Sequence, residues 1–203
     1  MTATTTLNPA TRWEHTRIDR EHLVQLGLWM FLATVTMLFA AFTSAYIVRR
    51  AGIDWRPIVL PSVLWLNTLL LGVSSVAAEV GRRAAERQAW RRARLAFAAA
   101  ILLGLCFLVG QTAGWQGLVS QGVYVMTLPH SSFFYMLTGL HAVHLVVGLI
   151  ILTVTIPSLA SPPSASPARP DAISPAGRAR LAATFWHFFG ALWVYLFALL
   201  AIS

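Results

Sequence analysis

The chain has 203 residues, of which 57% are apolar and only 11% are charged. A soluble domain of this length needs roughly twice that charged fraction to cover its surface, so the composition excludes an ordinary soluble protein. The formal net charge of +8 rests on arginines alone, which stand in short clusters between long apolar runs. Nucleic-acid binding calls for basic residues along one face of a soluble element, so we expect no nucleic-acid partner.

Five stretches are long and apolar enough to form transmembrane helices, because a helix needs about 20 mostly apolar residues to cross the hydrocarbon core. They cover about 24–48, 58–80, 94–115, 131–157 and 181–202. A membrane β-barrel is excluded, since its strands would alternate in segments of about ten residues. The first stretch is too long for the apolar core of a cleaved signal peptide. We therefore predict an all-α, polytopic membrane bundle with five transmembrane helices.

The arginines predict the orientation of this bundle, since cytoplasmic connections carry an excess of basic residues. Twelve of the fifteen arginines lie in the N-terminal tail, in the 81–94 connection and in the 158–180 connection, which share one side of the membrane. The other side has three, all in the first loop. We expect a cytoplasmic N-terminal tail over residues 1–23 and a transmembrane domain over 24–203.

Two connections and one cysteine have distinct compositions. Residues 158–180 are rich in Pro, Ser and Ala, which is typical of a mobile linker. Residues 116–130 contain neither an acid nor an arginine, so we expect them to lie at the outer interface and pack on protein. Cys106 stands within an apolar run and is expected to be a small packing residue.

Polar groups inside a membrane span are costly, and they are therefore the first candidates for function. In the second span Asn67 and Ser74 are two helical turns apart on one face, and Glu79 follows near the interface. We favour hydrogen bonding between helices for these residues over a proton relay.

The fourth span carries a polar stripe at helical spacing, formed by Thr138, His141, His144 and Gly148. Two histidines one turn apart could bind a metal, or one of them could ligate haem together with His187 of the fifth span. The alternative is that the imidazoles make hydrogen bonds between helices or meet lipid phosphate, and the residues favour this alternative.

Small residues at intervals of four indicate close helix packing. Thr36, Ala40 and Ser44 have this spacing in the first span, and Gly110 and Gly114 have it in the third. The spacing is common in membrane helices, so it indicates a bundle and no particular function.

Residue motifs follow one another along all five spans over about residues 26–200. In the last two spans they are Ser132-Phe133-Phe134, Thr138-Gly139, His141-x-x-His144 with Gly148, Phe185-Trp186-His187-Phe188, Trp193 and Leu196-Phe197. In the first three spans they are Phe31-Leu32-Ala33, Met37-Leu38-Phe39, Ala45-Tyr46, Pro61, Leu64, Asn67-Thr68, Ser74-Ser75, Gly104, Phe107, Gln111 and Trp115. Together they resemble subunit III of the haem–copper cytochrome oxidases. Five spans resemble the short bacterial form, which lacks the first two of seven helices.

Three positions depart from the family pattern, and each departure loses an ionisable group. Val35 stands where a glutamate is usual, Gly190 where an aspartate is frequent, and Gly114 where an acid usually precedes Trp115. A proton-handling role that depends on those carboxylates is therefore not expected in this chain.

The resemblance implies a multi-pass subunit of the bacterial cytoplasmic membrane without catalytic residues, cofactor or metal of its own. Haem and copper would reside in partner subunits. The expected partners are subunit I, which this chain would stabilise, subunit II and smaller subunits. Phospholipid would bind in a cleft between helices, and lipids or a neighbouring subunit would cover the surface left by the two missing helices. The residues that it implies to be structural or lipid-facing are Asn67, Thr138, His141, His144, Trp186 and His187.

Two alternatives remain open at this point. A similar accessory protein serves nitric oxide reductase, and the co-purified catalytic subunit would distinguish it. A membrane haem protein that uses His141, His144 and His187 would show a Soret band in the isolated chain.

Overall fold

A computed structural model describes residues 9–52, 62–120, 122, 129–160 and 173–202. For residues 9–19 and 129–130 it describes the backbone only. Five α-helices account for nearly all of these residues, and the described ranges contain no strand. They are α1 (Pro9–Arg50), α2 (Val63–Glu86), α3 (Trp90–Ser120), α4 (Pro129–Ser158) and α5 (Pro175–Ala201). Each is long and apolar enough to cross a membrane, which confirms the predicted five-helix membrane bundle.

Most helix ends lie beyond the apolar stretches that predict them, but α2 begins at Val63, later than the predicted start at 58. α1 begins at Pro9, so part of the predicted N-terminal tail is helical. The 158–180 connection is shorter than expected, because α5 begins at Pro175 with Ser174 as its N-cap. Ser174 Oγ accepts a hydrogen bond of 2.9 Å from Gly177 N, and proline is favoured at the first position of a helix. The mobility predicted for this connection concerns mainly residues 161–172, which lie outside the described residues.

Helices that follow one another in the sequence run antiparallel, and a tight turn joins α2 to α3. Gln88 adopts the left-handed conformation there, with φ of 57°. Ala89 N donates to Ala84 O over 2.9 Å and Gln88 N donates to Ala85 O over 3.0 Å. This pair of bonds satisfies the last carbonyls of α2 as a Schellman motif does.

α5 is the central helix of the bundle and α1 the most peripheral. Half of the apolar window of α5 is buried within the chain, against 17% for α1. At one end of the bundle the Glu21 carboxylate of α1 accepts from Ser174 N at 2.9 Å and pairs with Arg180 at 3.3 Å. At the other end Arg50 Nη2 donates to Ile202 O over 3.1 Å. α1 is thus tied to α5 by polar contacts at both ends.

Trp186 of α5 fills a slot between two glycines of neighbouring helices. A Cβ added at Gly104 of α3 would lie 2.7 Å from the indole Cη2, and one added at Gly148 of α4 would lie 3.0 Å from its Cε3. The indole Nε1 donates to Ser74 Oγ of α2 over 3.0 Å, and that hydroxyl donates to Ala100 O over 2.8 Å. One buried side chain therefore joins four helices.

Two further indoles form the same kind of bond between helices. Trp193 Nε1 donates to Thr68 Oγ1 of α2, and Trp115 Nε1 donates to Thr138 Oγ1 of α4, both over 3.1 Å. A membrane core offers no water to an indole N–H, so a hydroxyl on a neighbouring helix supplies the acceptor.

The two stretches of small residues differ in where they face. Gly110 and Gly114 lie against α2, where a Cβ at Gly110 would collide with Asn67 Oδ1. Thr36, Ala40 and Ser44 are exposed on α1.

Cys106 is also exposed, so its assignment as a packing residue was wrong. The buried stripe of α3 passes through Gly104 and Phe107 and turns Cys106 outward.

Candidate functional site

His141 is fully buried among aromatic rings contributed by α3 and α5. Its ring centroid lies 5.1 Å from that of Trp193, 6.1 Å from that of Phe107 and 6.3 Å from that of Phe189. Neither ring nitrogen has a hydrogen-bond partner within the part of the chain that the structure describes. A fully buried imidazole without an acid beside it is expected to be neutral.

His144, one turn later on α4, has a different environment. Its ring stacks on Phe189 with centroids 5.0 Å apart, and Phe31 and Phe39 of α1 lie at 6.4 and 5.9 Å. Its Nδ1 lies 2.8 Å from Leu140 O. Because a carbonyl oxygen only accepts, Nδ1 carries a proton and donates to this oxygen. His144 therefore links the peripheral helix α1 to α4 and α5 through ring contacts.

Asn67, Thr138 and Trp186 are all completely buried inside the bundle. Thr138 accepts from Trp115 and donates to Phe134 O over 2.7 Å, and Trp186 occupies the slot described above. Asn67 faces Gly110 of α3, and neither its amide nitrogen nor its oxygen has a hydrogen-bond partner among the described residues. These three side chains therefore contact the surrounding helices and expose no surface to lipid.

His187, like His144, is partly exposed, and 38% of its side chain is accessible. Its Nδ1 lies 2.9 Å from Ser75 Oγ of α2, and its Nε2 lies 3.5 Å from Glu79 Oε2. Gly190, one turn further along α5, faces the same Ser75 hydroxyl and lets the two helices approach.

The carboxylate of Glu79 is shared with two arginines on the next turn of α2. Arg82 binds it in a bidentate manner at 2.8 and 2.7 Å, and Arg83 Nε reaches it at 2.6 Å. Arg82 also contacts Glu86 at 2.5 Å. We call Ser75, Glu79, Arg82, Arg83 and His187 the Glu79 cluster. It lies at the arginine-rich end of the bundle, which is where an anionic lipid surface would meet it.

A surface pocket of about 390 Å³ opens on this cluster, lined by Ser75, Val76, Glu79, Val80, Arg83 and His187. A second groove of about 470 Å³ continues along the same face of α2, lined by Trp65, Thr68, Leu69, Gly72, Val73 and Val76. Val76 belongs to both. The pocket at the Glu79 cluster thus meets, at Val76, an apolar groove that runs towards the middle of α2.

The three histidines do not converge on a common point. His141 lies against Phe107 and Trp193, His144 against Phe189 and α1, and His187 against Ser75 and Glu79. Among the described residues no group of three or more His, Cys, Asp or Glu side chains is placed to hold a metal ion. The spacing of His141 and His144 along one helix therefore does not translate into a shared ligand set.

The three positions that depart from the family pattern are all buried. Val35 is 3% exposed on the face of α1 between Phe31 and Phe39. A Cβ at Gly190 would lie 3.2 Å from Ser75 Oγ, and one at Gly114 would lie 3.4 Å from a Val63 methyl. Small or apolar residues fill these positions, and the packing is tight for a side chain at Gly190, whereas a Cβ at Gly114 would make ordinary contacts.

Two polar positions were not among the candidate site residues, although Gln111 was quoted as part of a family motif. Gln111 of α3 is 1% exposed, and its amide has no partner among the described residues. Its position four residues after Phe107, on the same face of α3, was the sequence signal that it is buried. Glu21 stands in the predicted tail, and only the fold reveals that it receives the N-terminus of α5.

Comparison with known proteins agrees with these motifs. The sequence model of the family "Cytochrome c oxidase subunit III" matches residues 7–202. The chain belongs to the cytochrome c oxidase subunit III family. A relative named cytochrome c oxidase subunit 3 from Corynebacterium diphtheriae is 32% identical over 188 residues, which cover 89% of this chain and 88% of the relative.

Other relatives in the subunit III family come from further bacteria. The probable cytochrome c oxidase subunit 3 of Mycobacterium tuberculosis H37Rv is 29% identical, covering 90% of this chain and 89% of that protein. The cytochrome c oxidase subunit 3 of Bacillus sp. PS3 is 28% identical, covering 85% and 82%. Family membership and five apolar helices together make this chain a multi-pass membrane subunit of an oxidoreductase complex.

Proposed function

We propose that this chain is a non-catalytic subunit III of a bacterial cytochrome c oxidase, which stabilises subunit I and binds phospholipid in the cytoplasmic membrane. The family match over residues 7–202 carries the proposal. The packing supports a structural role, because the central side chains, among them Trp186 and Trp193, serve contacts between helices. Haem and copper would belong to partner subunits, and the oxygen chemistry would take place there.

The distribution of charge supports a cytoplasmic N-terminus. The arginines of the α2–α3 connection and those at the start of α5 share one end of the bundle with Glu21 of α1. Arg49 and Arg50 stand at the other end. Basic residues concentrated at one end predict that this end faces the cytoplasm. A cysteine placed at the α2–α3 connection should react with a membrane-impermeant maleimide only after the cells are opened.

Association with subunit I is tested by purification. The tagged chain, extracted in a mild detergent from its native membrane, should bring down a haem–copper subunit I that mass spectrometry identifies. Recovery of a nitric oxide reductase subunit instead would show that the chain belongs to that complex and not to an oxidase. Recovery of neither would contradict the proposed role.

The exposed face of α1 is the surface that we assign to the neighbouring subunit. α1 is the least buried helix, and Thr36 and Ala40 line an apolar groove of about 370 Å³ with Phe188, Ala191 and Tyr195 of α5. Small residues on one face let a further helix approach closely. Ala40→Phe should therefore lower the recovery of subunit I. Ala113→Phe on the exposed face of α3 is the matched control, and an equal loss in both variants would contradict the assignment.

We assign phospholipid binding to the pocket at the Glu79 cluster. Arg83 is 65% exposed beside it, and the connection from 82 to 94 holds six arginines against one glutamate. Such a surface attracts an anionic headgroup, while Gly72 and Val73 continue the groove for an acyl chain. From Arg83 to Gly72 the helix rises about 17 Å, roughly half of the hydrocarbon thickness.

The lipid assignment is tested by native mass spectrometry of the purified protein. Arg83→Gln combined with His187→Gln should remove a co-purified anionic phospholipid. Arg92→Gln, which removes an exposed arginine away from the pocket, should retain it. Equal lipid retention in both variants would show that the headgroup is held elsewhere.

A further inference from the structure

Three buried side chains in the middle of the bundle have polar groups without protein partners. Asn67 of α2 and His141 of α4 are completely buried, and Gln111 of α3 is 1% exposed. None of their side-chain nitrogens and oxygens makes a hydrogen bond within the part of the chain that the structure describes. Buried amides and imidazoles are nearly always satisfied, so this set calls for a partner.

Packing contacts place Asn67 and Gln111 at the same level. Asn67 lies against Gly110 of α3, and Gly114 lies against Val63 and Leu64 of α2. α2 and α3 are antiparallel, so Gly110 stands opposite Asn67, and the residue after it lies at the same level, about 100° further round α3. Gln111 is that residue, and it belongs to the buried stripe of α3.

Aromatic contacts bring His141 to this level as well. Its ring contacts Phe107, which is one turn from Gln111 on the same stripe of α3. It also contacts Trp193, whose indole binds Thr68, the neighbour of Asn67 in the sequence. We call Asn67, Gln111 and His141 the polar layer. Its members come from three helices, and His141 packs against both rings of the Phe107–Trp193 pair.

The chemistry of the polar layer fits a neutral ligand that both donates and accepts. Each amide has an N–H₂ group and a carbonyl oxygen, and a neutral imidazole has one donor and one acceptor. The acidic side chains that the structure describes, Glu21, Glu79 and Glu86, stand at the arginine-rich end, so the layer has no counter-charge for an ion. Phe107 and Trp193 pack against His141, which restricts the ligand to a small one.

We propose that the polar layer binds internal water, which bridges Asn67, Gln111 and His141 across α2, α3 and α4. Internal waters typically make about three hydrogen bonds to otherwise unsatisfied buried groups. Three facing helices with unpaired donors and acceptors provide such a site. Water bound there joins α4 to the α2–α3 pair at mid-membrane depth, where few direct hydrogen bonds do so.

Radiolytic footprinting of the full chain in its membrane complex, performed in ¹⁸O-labelled water, tests the proposal. Hydroxyl radicals formed from bound water oxidise the nearest side chains, so Trp193 should take up label several-fold faster than Trp186. Trp186 is the matched control, because it is equally buried and its indole N–H is bonded to Ser74. Equally slow labelling of the two tryptophans would overturn the proposal.

The double variant Asn67→Leu with Gln111→Leu removes four of the polar atoms. It should reduce the labelling of Trp193 to the level of Trp186 while leaving Trp186 unchanged. If this variant does not fold, a high-resolution cryo-electron microscopy map of the wild-type complex decides the question. Density for water within hydrogen-bond distance of both amides supports the site, and the absence of such density refutes it.

Discussion

Gly104→Ala is the substitution for which the fold predicts the clearest loss of stability. The new methyl group would lie 2.7 and 2.9 Å from Cη2 and Cζ2 of Trp186 and 3.0 Å from a methyl of Leu149. The indole cannot retreat, because Gly148 bounds its other side and Ser74 holds its N–H. Overpacking of this kind costs about 1–3 kcal/mol.

A matched control separates this packing cost from the backbone effect of replacing glycine. Gly72 is also a mid-helix glycine, and a Cβ added there meets no atom within 4 Å. Alanine favours the helix by about 0.5–1 kcal/mol at either site. The difference in unfolding free energy between Gly104→Ala and Gly72→Ala therefore isolates the packing cost.

Unfolding by sodium dodecyl sulfate, followed by near-ultraviolet circular dichroism of the buried indoles, measures this difference. Trp186→Phe removes the ring atoms that the new methyl would strike, so Gly104→Ala combined with Trp186→Phe should destabilise less than the sum of the two single variants. Equal stability of Gly104→Ala and Gly72→Ala would refute the glycine slot. Strict additivity in the double variant would refute the assigned contact.

Three further predictions concern the bundle. Gln88→Gly should stabilise the chain by about 1 kcal/mol, because glycine adopts the left-handed turn without steric cost, whereas Gln88→Ala should leave the midpoint of the same unfolding titration unchanged. Glu21→Ala should speed cleavage by proteinase K near the start of α5, since it removes the acceptor that holds Ser174 N, while Arg180→Gln should have a smaller effect because an exposed pair contributes about 0–1 kcal/mol. Thr138→Val should destabilise the chain by about 0.6–1.7 kcal/mol, because it leaves the indole N–H of Trp115 unpaired. Thr138→Ser keeps the hydroxyl and should not destabilise the chain. A greater loss of stability in Thr138→Ser than in Thr138→Val would contradict the assigned hydrogen bond.

The number of helices and their approximate extent could be predicted from the sequence alone. Long uncharged runs interrupted by arginines and prolines require helices in a membrane, because the backbone has no other way to satisfy its polar groups there. The motifs in the spans also predicted the family, which the comparison confirms. These predictions depend on hydropathy and residue identity along the chain.

The direction that each side chain faces could not be predicted in this way. The spacing of Thr36, Ala40 and Ser44 is the same as that of Gly110 and Gly114, yet the first set is exposed and the second packs against α2. The core of a soluble protein is marked by an apolar stripe on an otherwise polar helix. In these spans both the core and the lipid are apolar, so the pattern does not distinguish them.

The sequence by itself thus determined a five-helix membrane subunit of the cytochrome c oxidase subunit III family and the polar residues within its spans. Only the tertiary structure decided what those residues do. It buried His141 among rings, left His187 at a surface pocket, and brought Gln111 level with Asn67. The reason is physical: contacts between antiparallel helices depend on rotation and register, which short-range spacing within one apolar helix does not specify.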